Sequence, residues 1–481
     1  MEKSMDMKRT CFVFLCLFFL CFNTQFILSQ NTEPPDSDDF SSKDAGNTII
    51  RGLIAGGETL LSNGIVMSSN IIFYKLTGKF SWAIPSTHSI RSNLTEPWEW
   101  TPTDGFIVNQ LGHPYQGSVY FSAGRANGFN FYESAFFSAF GSSTWEVFFE
   151  SNHASVNDLF TTAAGSMSFG EVLYRLYIEA DARGVPEPLA FLINPMAGFH
   201  RLITGWELPD YGINLNQFQP HFGIGYAQTR SSISGSDEDL FSFRGPFVDA
   251  GFAVVYGNPF EQESRIPFNH FEFSLSFGLD TGNYMDLKLI SDGYLLSFSP
   301  VYSDTNKLST GLSLHLDAVA LGSVDWEASS TINQYSNALD WTIKYQHLFM
   351  GDADFQIKFH FGFSFLAVSE YYSPDAESDL NNYGPGLNSK LFVRFDHKKL
   401  GNITMSIFGY LMWPYPGTSA LSESRVNWLF TDVTYNYNIS NHLSVGINHS
   451  FAFERGLFSR SNFPDTLKTN NSAKLFLAWN L

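Results

Sequence analysis

The sequence has little of three things: cysteine, basic charge and long apolar runs. The 481-residue chain contains three cysteines, at Cys11, Cys16 and Cys21. Beyond Cys21 the chain can therefore form neither a disulfide nor a cysteine-based metal site.

Basic residues are outnumbered, with 28 lysines and arginines against 47 aspartates and glutamates, a formal net charge of −19. Such a balance argues against a nucleic-acid-binding surface, which needs positive charge to neutralise phosphates. It argues equally against a docking module for anionic lipid. We expect no nucleic-acid partner.

The only strongly apolar run is "CFVFLCLFFLCF" (Cys11 to Phe22), which is short for a membrane span. It follows three basic residues, Lys3, Lys8 and Arg9. This arrangement is typical of a secretory signal, so we predict a signal peptide over residues 1–30. Residues 31–50 are acidic and turn-forming, which predicts a disordered acidic lead-in. Without a transmembrane helix after the signal, a membrane role would have to use strands.

From about Phe222 onward the apolar residues recur every second position. In "FQIKFHFGFSF" (Phe355 to Phe365) an aromatic face alternates with polar and small residues, and "FEFSLSFGLD" (Phe271 to Asp280) repeats the pattern. A long aromatic face opposite a charged one is typical of a barrel with lipid outside and a polar lumen. We predict an antiparallel transmembrane β-barrel of about 12–14 strands over residues 218–481. Phe359 should face lipid, and Lys358 should face the lumen and tolerate truncation.

The connections between the predicted strands alternate in length, as they do in outer-membrane barrels with short periplasmic turns and long outer loops. Tight turns are predicted at 351–353, 398–401 and 439–441, and long polar loops at 367–386, 414–424 and 455–471. A hairpin turn is predicted at "SDG" (Ser291 to Gly293). The alternation favours an even strand count.

Residues 105–206 lack the two-residue period and predict a small α-helical periplasmic or plug domain. "MSFGEVLYRLYIEADARG" (Met167 to Gly184) has helical character and places Glu171 and Arg175 four residues apart. The glycine-rich segment 112–129 shows neither strand alternation nor an apolar helical stripe, so we interpret it as a polar loop. Residues 51–104 are predicted to be irregular or to form short strands.

Several motifs of this segment carry a family resemblance. They are "HPYQG" (113–117), "YFSAGRANGF" (120–129), "STWEVFFE" (143–150), "VNDL" (156–159), "GEVLYR" (170–175) and "NPMAGFHRLITG" (194–205). Together they resemble a bacterial family catalogued as domain of unknown function 3943 (DUF3943). The activity of that family is not established, so the resemblance implies a family and no mechanism.

Charge is scarce between Gly112 and Glu150, where Arg125 is the only arginine or lysine. A buried guanidinium needs a carboxylate, and its planar fork suits one well. We predict that His113, Arg125, Glu146 and Glu150 form one buried polar cluster. Asn157, Asp158, Glu171 and Arg175 are further candidate members. The cluster is either structural or catalytic.

Glu146, Glu150 and His153 show E-x-x-x-E-x-x-H spacing, of which Glu150 and His153 match half of a di-iron helix-bundle pattern, but a second Glu-x-x-His is missing from the sequence. Capping and ion pairing are the favoured interpretation. In "INHSFAFE" (Ile447 to Glu454), His449 and Ser450 point to opposite faces of a strand and cannot act together. We therefore predict no catalytic residue, no metal site and no cofactor.

Two groups of charged residues share presumed lumen faces of the barrel. They are His315 with Asp317, and Lys390 with Arg394 and Asp396. Mixed charge inside a barrel is interpreted as a structural ladder between strands, with solute selectivity as a secondary role.

Three functional classes remain open. The first is an outer-membrane barrel in a Gram-negative envelope, serving transport, envelope structure or assembly. The second is an outer-membrane enzyme acting on lipid or envelope polymer, with its site in 113–158. The third is a secreted all-β binding protein. Expected partners are outer-membrane lipid, the barrel assembly machinery, and a small solute or lipid.

Overall fold

The computed structural model describes residues 48–79, 82–100, 105–208, 213–233, 239–260, 263–280, 284–323, 332–349, 352–371, 380–414, 425–457 and 465–480. They form two compact units, one helical and ending at Asn214, the other a β-unit starting at Leu215. The predicted signal peptide, and residues 31–47 of the predicted lead-in, lie outside the described residues.

The described part of the helical unit contains seven α-helices: α1 Thr48–Thr77, α2 Thr87–Thr95, α3 His113–Ala126, α4 Phe131–Thr144, α5 Val156–Ala182, α6 Glu187–Ile193 and α7 Pro195–Thr204. Single π-helical turns precede α3 at Val108–Gly112 and follow α4 at Trp145–Phe149. Among the described residues, no helix is both long enough and apolar enough to cross a membrane.

The prediction of irregular structure or short strands over 51–104 was wrong, because α1 and α2 occupy most of this segment. Glycines weaken the helical signal of α1 through their low intrinsic propensity. The start of α2 is a capping box in which Ser89, rather than the usual glutamate or glutamine, faces Ser86. The helices of this segment therefore depend on tertiary packing and on an unusual cap, neither of which the ordinary sequence patterns for helices reveal.

The interpretation of 112–129 as a loop was also wrong, since α3 covers His113–Ala126. This helix packs against α1, α4, α5 and α7. A helix enclosed on all sides has no solvent-facing stripe, so its sequence shows no amphipathic period. Its glycines permit close approach: a Cβ on Gly117 would lie 2.8 Å from Ser166 Cβ of α5.

The β-unit is a closed antiparallel barrel of twelve strands, each paired with its neighbours in chain order and β1 with β12. The strands are β1 Leu215–Ile233, β2 Asp239–Tyr256, β3 Phe271–Leu279, β4 Tyr284–Tyr302, β5 Asn306–Ser323, β6 Ile332–Leu348, β7 Ala353–Tyr371, β8 Leu380–His397, β9 Gly401–Met412, β10 Arg425–Asn438, β11 Leu443–Leu457 and β12 Thr466–Trp479. The predicted fold class, an antiparallel barrel preceded by helices, is confirmed.

Connections at the barrel end that carries Leu215 and Trp479 are short at 303–305, 349–352, 398–400 and 439–442, with the longer segment 257–270 as the exception. The predicted hairpin turn at Ser291 to Gly293 was wrong, since these residues lie within β4 and pair with β3. Asp292 faces the interior as an ion-pair partner of Lys358, and Gly293 accommodates the ring of Phe268.

The two faces of the barrel wall differ as the alternation predicts. On β7, Phe359, Phe361 and Phe363 are 39%, 54% and 49% exposed on the outside, whereas Lys358 and His360 are buried on the inside. The exterior elsewhere carries exposed apolar residues, among them Ile224, Trp341, Ile343, Ile403, Leu429, Ile447 and Leu475. An apolar exterior around a polar interior is the pattern of a membrane-spanning barrel.

Candidate functional site

All eight predicted site residues of the helical unit are buried. Their contacts centre on two places, the carboxylate of Glu171 and the start of α5. These places follow from the helices, because α3 packs along α5 and the π-turn after α4 brings Glu146 to Ser155 at the start of α5.

The first group joins Arg125 of α3 to Glu171 and Arg175 of α5. The Nε and Nη2 atoms of Arg125 donate to the two Glu171 carboxylate oxygens at 2.8 and 3.2 Å. Arg175 Nε donates to the same carboxylate at 2.8 Å. The Arg125 guanidinium also lies 5.2 Å from the centre of the Tyr174 ring and donates to the carbonyl of Phe129. The carboxylate that contacts Arg125 is therefore Glu171, one of the further candidate members.

The second group surrounds the start of α5. The backbone N–H of Ser155 donates to Glu146 Oε2 at 2.8 Å, and Ser155 Oγ caps the helix by accepting from the N–H of Asp158. His113 Nε2 lies 3.7 Å from Asp158 Oδ1, and Asn157 Nδ2 donates to the same oxygen at 3.0 Å. Glu150 accepts from Asn152 nearby. These contacts fix the geometry of the helix start.

A third buried group was missed by sequence reasoning. His200 Nδ1 lies 2.8 Å from Glu58 Oε1, and Asn127 Nδ2 donates to Glu58 Oε2 at 2.7 Å. Glu58 is the only acidic residue of α1, which is the signal that could have revealed it. His200 lies within the motif "NPMAGFHRLITG".

The remaining candidates do not assemble a nucleophile and a base. Among the described residues, neither His113 nor His200 hydrogen-bonds a hydroxyl group. His153 is held by the carbonyl of Pro97 at 2.9 Å. On β11, His449 contacts Asn471 on the outside while Ser450 contacts Asp432 on the inside, as the strand period predicts. Burial raises the pKa of the Tyr120 phenol, whose O–H donates to Asn63, so this group stays protonated.

The barrel interior holds a network of charged side chains that we name the central cluster. Its members are Glu272 (β3), Asp292 (β4), His315 and Asp317 (β5), Asp340 and Lys344 (β6), Lys358 and His360 (β7) and Lys390 (β8). Ion pairs link strands that are not neighbours. Alternation predicted interior positions in β3, β5, β7 and β8, but it missed Asp292 of β4, which was assigned to a turn, and it did not show which residues meet across the interior.

Three lysines of the central cluster contact three carboxylates. Lys344 and Lys358 donate to Glu272 at 2.6 and 2.7 Å, and Lys358 also donates to Asp292 at 2.8 Å. Lys390 pairs with Asp317, which also accepts from the Tyr410 phenol at 3.1 Å. The predicted lumen positions of Arg394 and Asp396 agree with a pair at 2.7 Å between them.

Two further pairs line other parts of the interior. Lys474 donates to Asp249 at 2.8 Å, with His221 on the same carboxylate at 3.1 Å. Lys468 lies 3.1 Å from Glu454, which also accepts from the Trp428 indole. The interior is thus lined by paired charge of both signs, an arrangement able to bind polar or ionic solutes.

Comparisons with known proteins give a family for part of the helical unit. Residues 97–196 match the family described as "Domain of unknown function (DUF3943)", which confirms the resemblance drawn from the motifs. No curated protein matches the sequence.

Similar solved structures include channels and a porin. The COG4313 outer membrane channel from Pseudomonas putida F1 is 12% identical, covering 57% of this chain and 100% of that chain, with a TM-score of 0.31. The NanC porin is 9% identical over 54% and 100%, with a TM-score of 0.24. The P. putida toluene transporter TodX is 7% identical over 55% and 90%, with a TM-score of 0.22.

Proposed function

We propose that this chain is an exported outer-membrane β-barrel that conducts small solutes, with the central cluster as the constriction of its lumen. The observation that carries the proposal is the contrast between the two faces of the wall. An exposed aromatic exterior suits lipid, and a charged interior suits a polar passage.

The central cluster is a poor choice for stability alone. Buried ion pairs lose hydration that their mutual attraction only partly restores, and apolar side chains of similar volume are often as stabilising. In a pair such as Glu272–Lys358, which joins β3 to β7 across the interior, each charged group can instead release its partner and bind water or a passing solute. This supports a role in passage rather than in holding the barrel closed.

Delivery to the membrane belongs to the same proposal. Residues 1–30 direct export, the barrel assembly machinery inserts the β-unit, and outer-membrane lipid covers the apolar exterior. The enzymatic alternative within 113–158 has less support, because the buried groups there are engaged in capping and ion pairing.

The test is solute flux through the purified full-length protein in lipid bilayers. We expect measurable ion conductance, and a several-fold increase when Asp317→Ala and Lys390→Ala are combined, because these two charges pair with each other and their joint removal widens the constriction without stranding a lysine or a carboxylate. The matched control combines Asp352→Ala with Lys398→Ala, an exposed pair 3.1 Å apart, and should conduct like the wild type. Absence of flux in both wild type and lumen variant would refute transport.

A further inference from the structure

Three side chains of the central cluster converge on one point of the barrel interior. His315 of β5, Asp340 of β6 and His360 of β7 are 1%, 0% and 0% exposed. Their candidate ligand atoms all lie within 4.8 Å of one another. The three strands are adjacent in the barrel wall, so hydrogen-bonded backbone fixes the relative positions of the side chains.

Two of the converging atoms have no hydrogen-bond partner within the described part of the chain: His360 Nε2 and Asp340 Oδ2. The opposite sides of both groups are engaged, with Thr342 Oγ1 at 2.7 Å from His360 Nδ1 and Asn388 Nδ2 donating to Asp340 Oδ1 at 2.9 Å. His315 Nε2 lies 3.5 Å from Asp340 Oδ2. Buried polar atoms are almost always satisfied, so two orphans facing one point indicate a missing occupant.

The negative charge of Asp340 at this point is also not balanced by a lysine or arginine among the described residues. The three lysines of the central cluster pair with Glu272, Asp292 and Asp317. Asp340 is the fourth carboxylate, and within the described residues no lysine or arginine forms an ion pair with it. An uncompensated buried carboxylate is costly, and a bound cation would relieve that cost.

We propose that His315, Asp340 and His360 bind a divalent transition-metal ion, with Zn²⁺ as the best fit. Two imidazoles and one carboxylate are ligands that zinc prefers, and a hydroxyl or water completes the tetrahedron. Ser313 Oγ lies 2.8 Å from His315 Nε2 and also donates to the Asp340 carbonyl at 3.2 Å, so it holds the ring beside the proposed site.

Occupancy needs small movements. Zinc bonds of about 2.0–2.2 Å require the ligand atoms to approach one another by roughly an ångström, which side-chain rotation can supply. The His315 ring turns away from Lys390 Nζ, now 3.0 Å from its Nδ1, and Lys390 keeps its pair with Asp317. The bound ion ties β5, β6 and β7 together inside the barrel.

The experiment uses the full-length protein without a histidine tag, purified in detergent and depleted of metal. After Zn²⁺ is added back and the excess is removed, we expect about one equivalent of bound Zn²⁺ by elemental analysis. With Co²⁺ in place of Zn²⁺, we expect intense visible absorption bands that report tetrahedral nitrogen and oxygen ligands. His360→Gln and Asp340→Asn should each weaken Zn²⁺ binding by at least about tenfold. His221→Gln, a matched lumen histidine outside the site, should bind like the wild type.

Heat-resistant migration on a denaturing gel verifies that each variant remains a folded barrel. If one variant does not fold, the other variant and the Co²⁺ spectrum of the wild type still decide the question. Zn²⁺ binding that is unchanged in a folded His360→Gln or Asp340→Asn protein would overturn the proposal. So would a wild type that binds no Zn²⁺, or one whose Co²⁺ spectrum is that of the hydrated ion.

Discussion

At the scale of single residues, the helical unit depends on which carboxylate each buried cation meets. Glu171 serves two arginines and is fully buried, so it neutralises charge that α3 and α5 both bring into the interior. Removing one member of such a group leaves a partner charged and without hydration, which costs more than the pair itself contributes.

We predict that Arg125→Ala and Glu171→Ala each lower the free energy of unfolding of the helical unit by about 3–5 kcal/mol. The double variant should cost clearly less than the sum, because Arg125→Ala removes one of the two guanidinium charges that lose this carboxylate in Glu171→Ala. The measurement is a double-mutant cycle on protease resistance in the full-length protein. Arg125→Ala with Glu146→Ala is the control and should be nearly additive. Additivity for Arg125 with Glu171 would contradict the pairing.

At the scale of elements, helices in this unit approach each other closely where one of them has a glycine at the contact. A Cβ on Gly117 would meet the backbone and side chain of Thr162 as well as Ser166. The contact between α3 and α5 therefore has no room for a methyl group, while Gly64 of α1 has open space around it.

We predict that Gly117→Ala destabilises the helical unit by about 1–3 kcal/mol, the usual effect of overpacking. Gly64→Ala is the matched helical control and should be neutral or stabilising by up to about 1 kcal/mol, since alanine is the better helix former. Thermal unfolding followed by helical circular dichroism compares the two. Equal effects at both glycines would mean that α3 and α5 are not closely packed.

Each barrel strand has one face that tolerates charge and one that does not. We predict that Phe361→Arg lowers barrel stability by about 2–4 kcal/mol in lipid vesicles, because the guanidinium would face hydrocarbon. Phe361→Leu is the control and should have a small effect. Urea titration of folding into vesicles gives both values, and a tolerated Phe361→Arg would place this face away from lipid.

Most strands were predictable because alternation is a local signal, whereas the middle of β4 at Ser291 to Gly293 was mistaken for a turn. The helices at 51–104 and 112–129 were not predictable, because glycine and complete burial remove the periodic signal that amphipathic helices carry. The sequence also did not show which charged side chains pair with each other. The sequence marked Arg125 as needing a carboxylate but could not distinguish Glu146 from Glu171, and it suggested that Lys358 tolerates truncation although two carboxylates contact it.

At the scale of the whole molecule, the continuous strand pairing gives the β-unit no free sheet edge. A closed barrel resists detergent because no strand can be removed without breaking two ladders. We predict that the protein fractionates with outer membranes, resists carbonate extraction, and migrates differently in boiled and unboiled samples on a denaturing gel. Helical-unit variants such as Gly117→Ala are the control and should keep this shift. Recovery as a soluble periplasmic protein would contradict the proposed location.

The pairing of β1 with β12 also sets the order of events in biogenesis. His221 contacts Ala478, so closure waits until the last strand has been synthesised and delivered. Contacts between residues so distant in sequence form slowly, because the intervening chain must first be ordered. Until then β1 and β11 each expose unpaired backbone, which invites pairing with other chains. The protein therefore passes through a long aggregation-prone interval before its barrel closes.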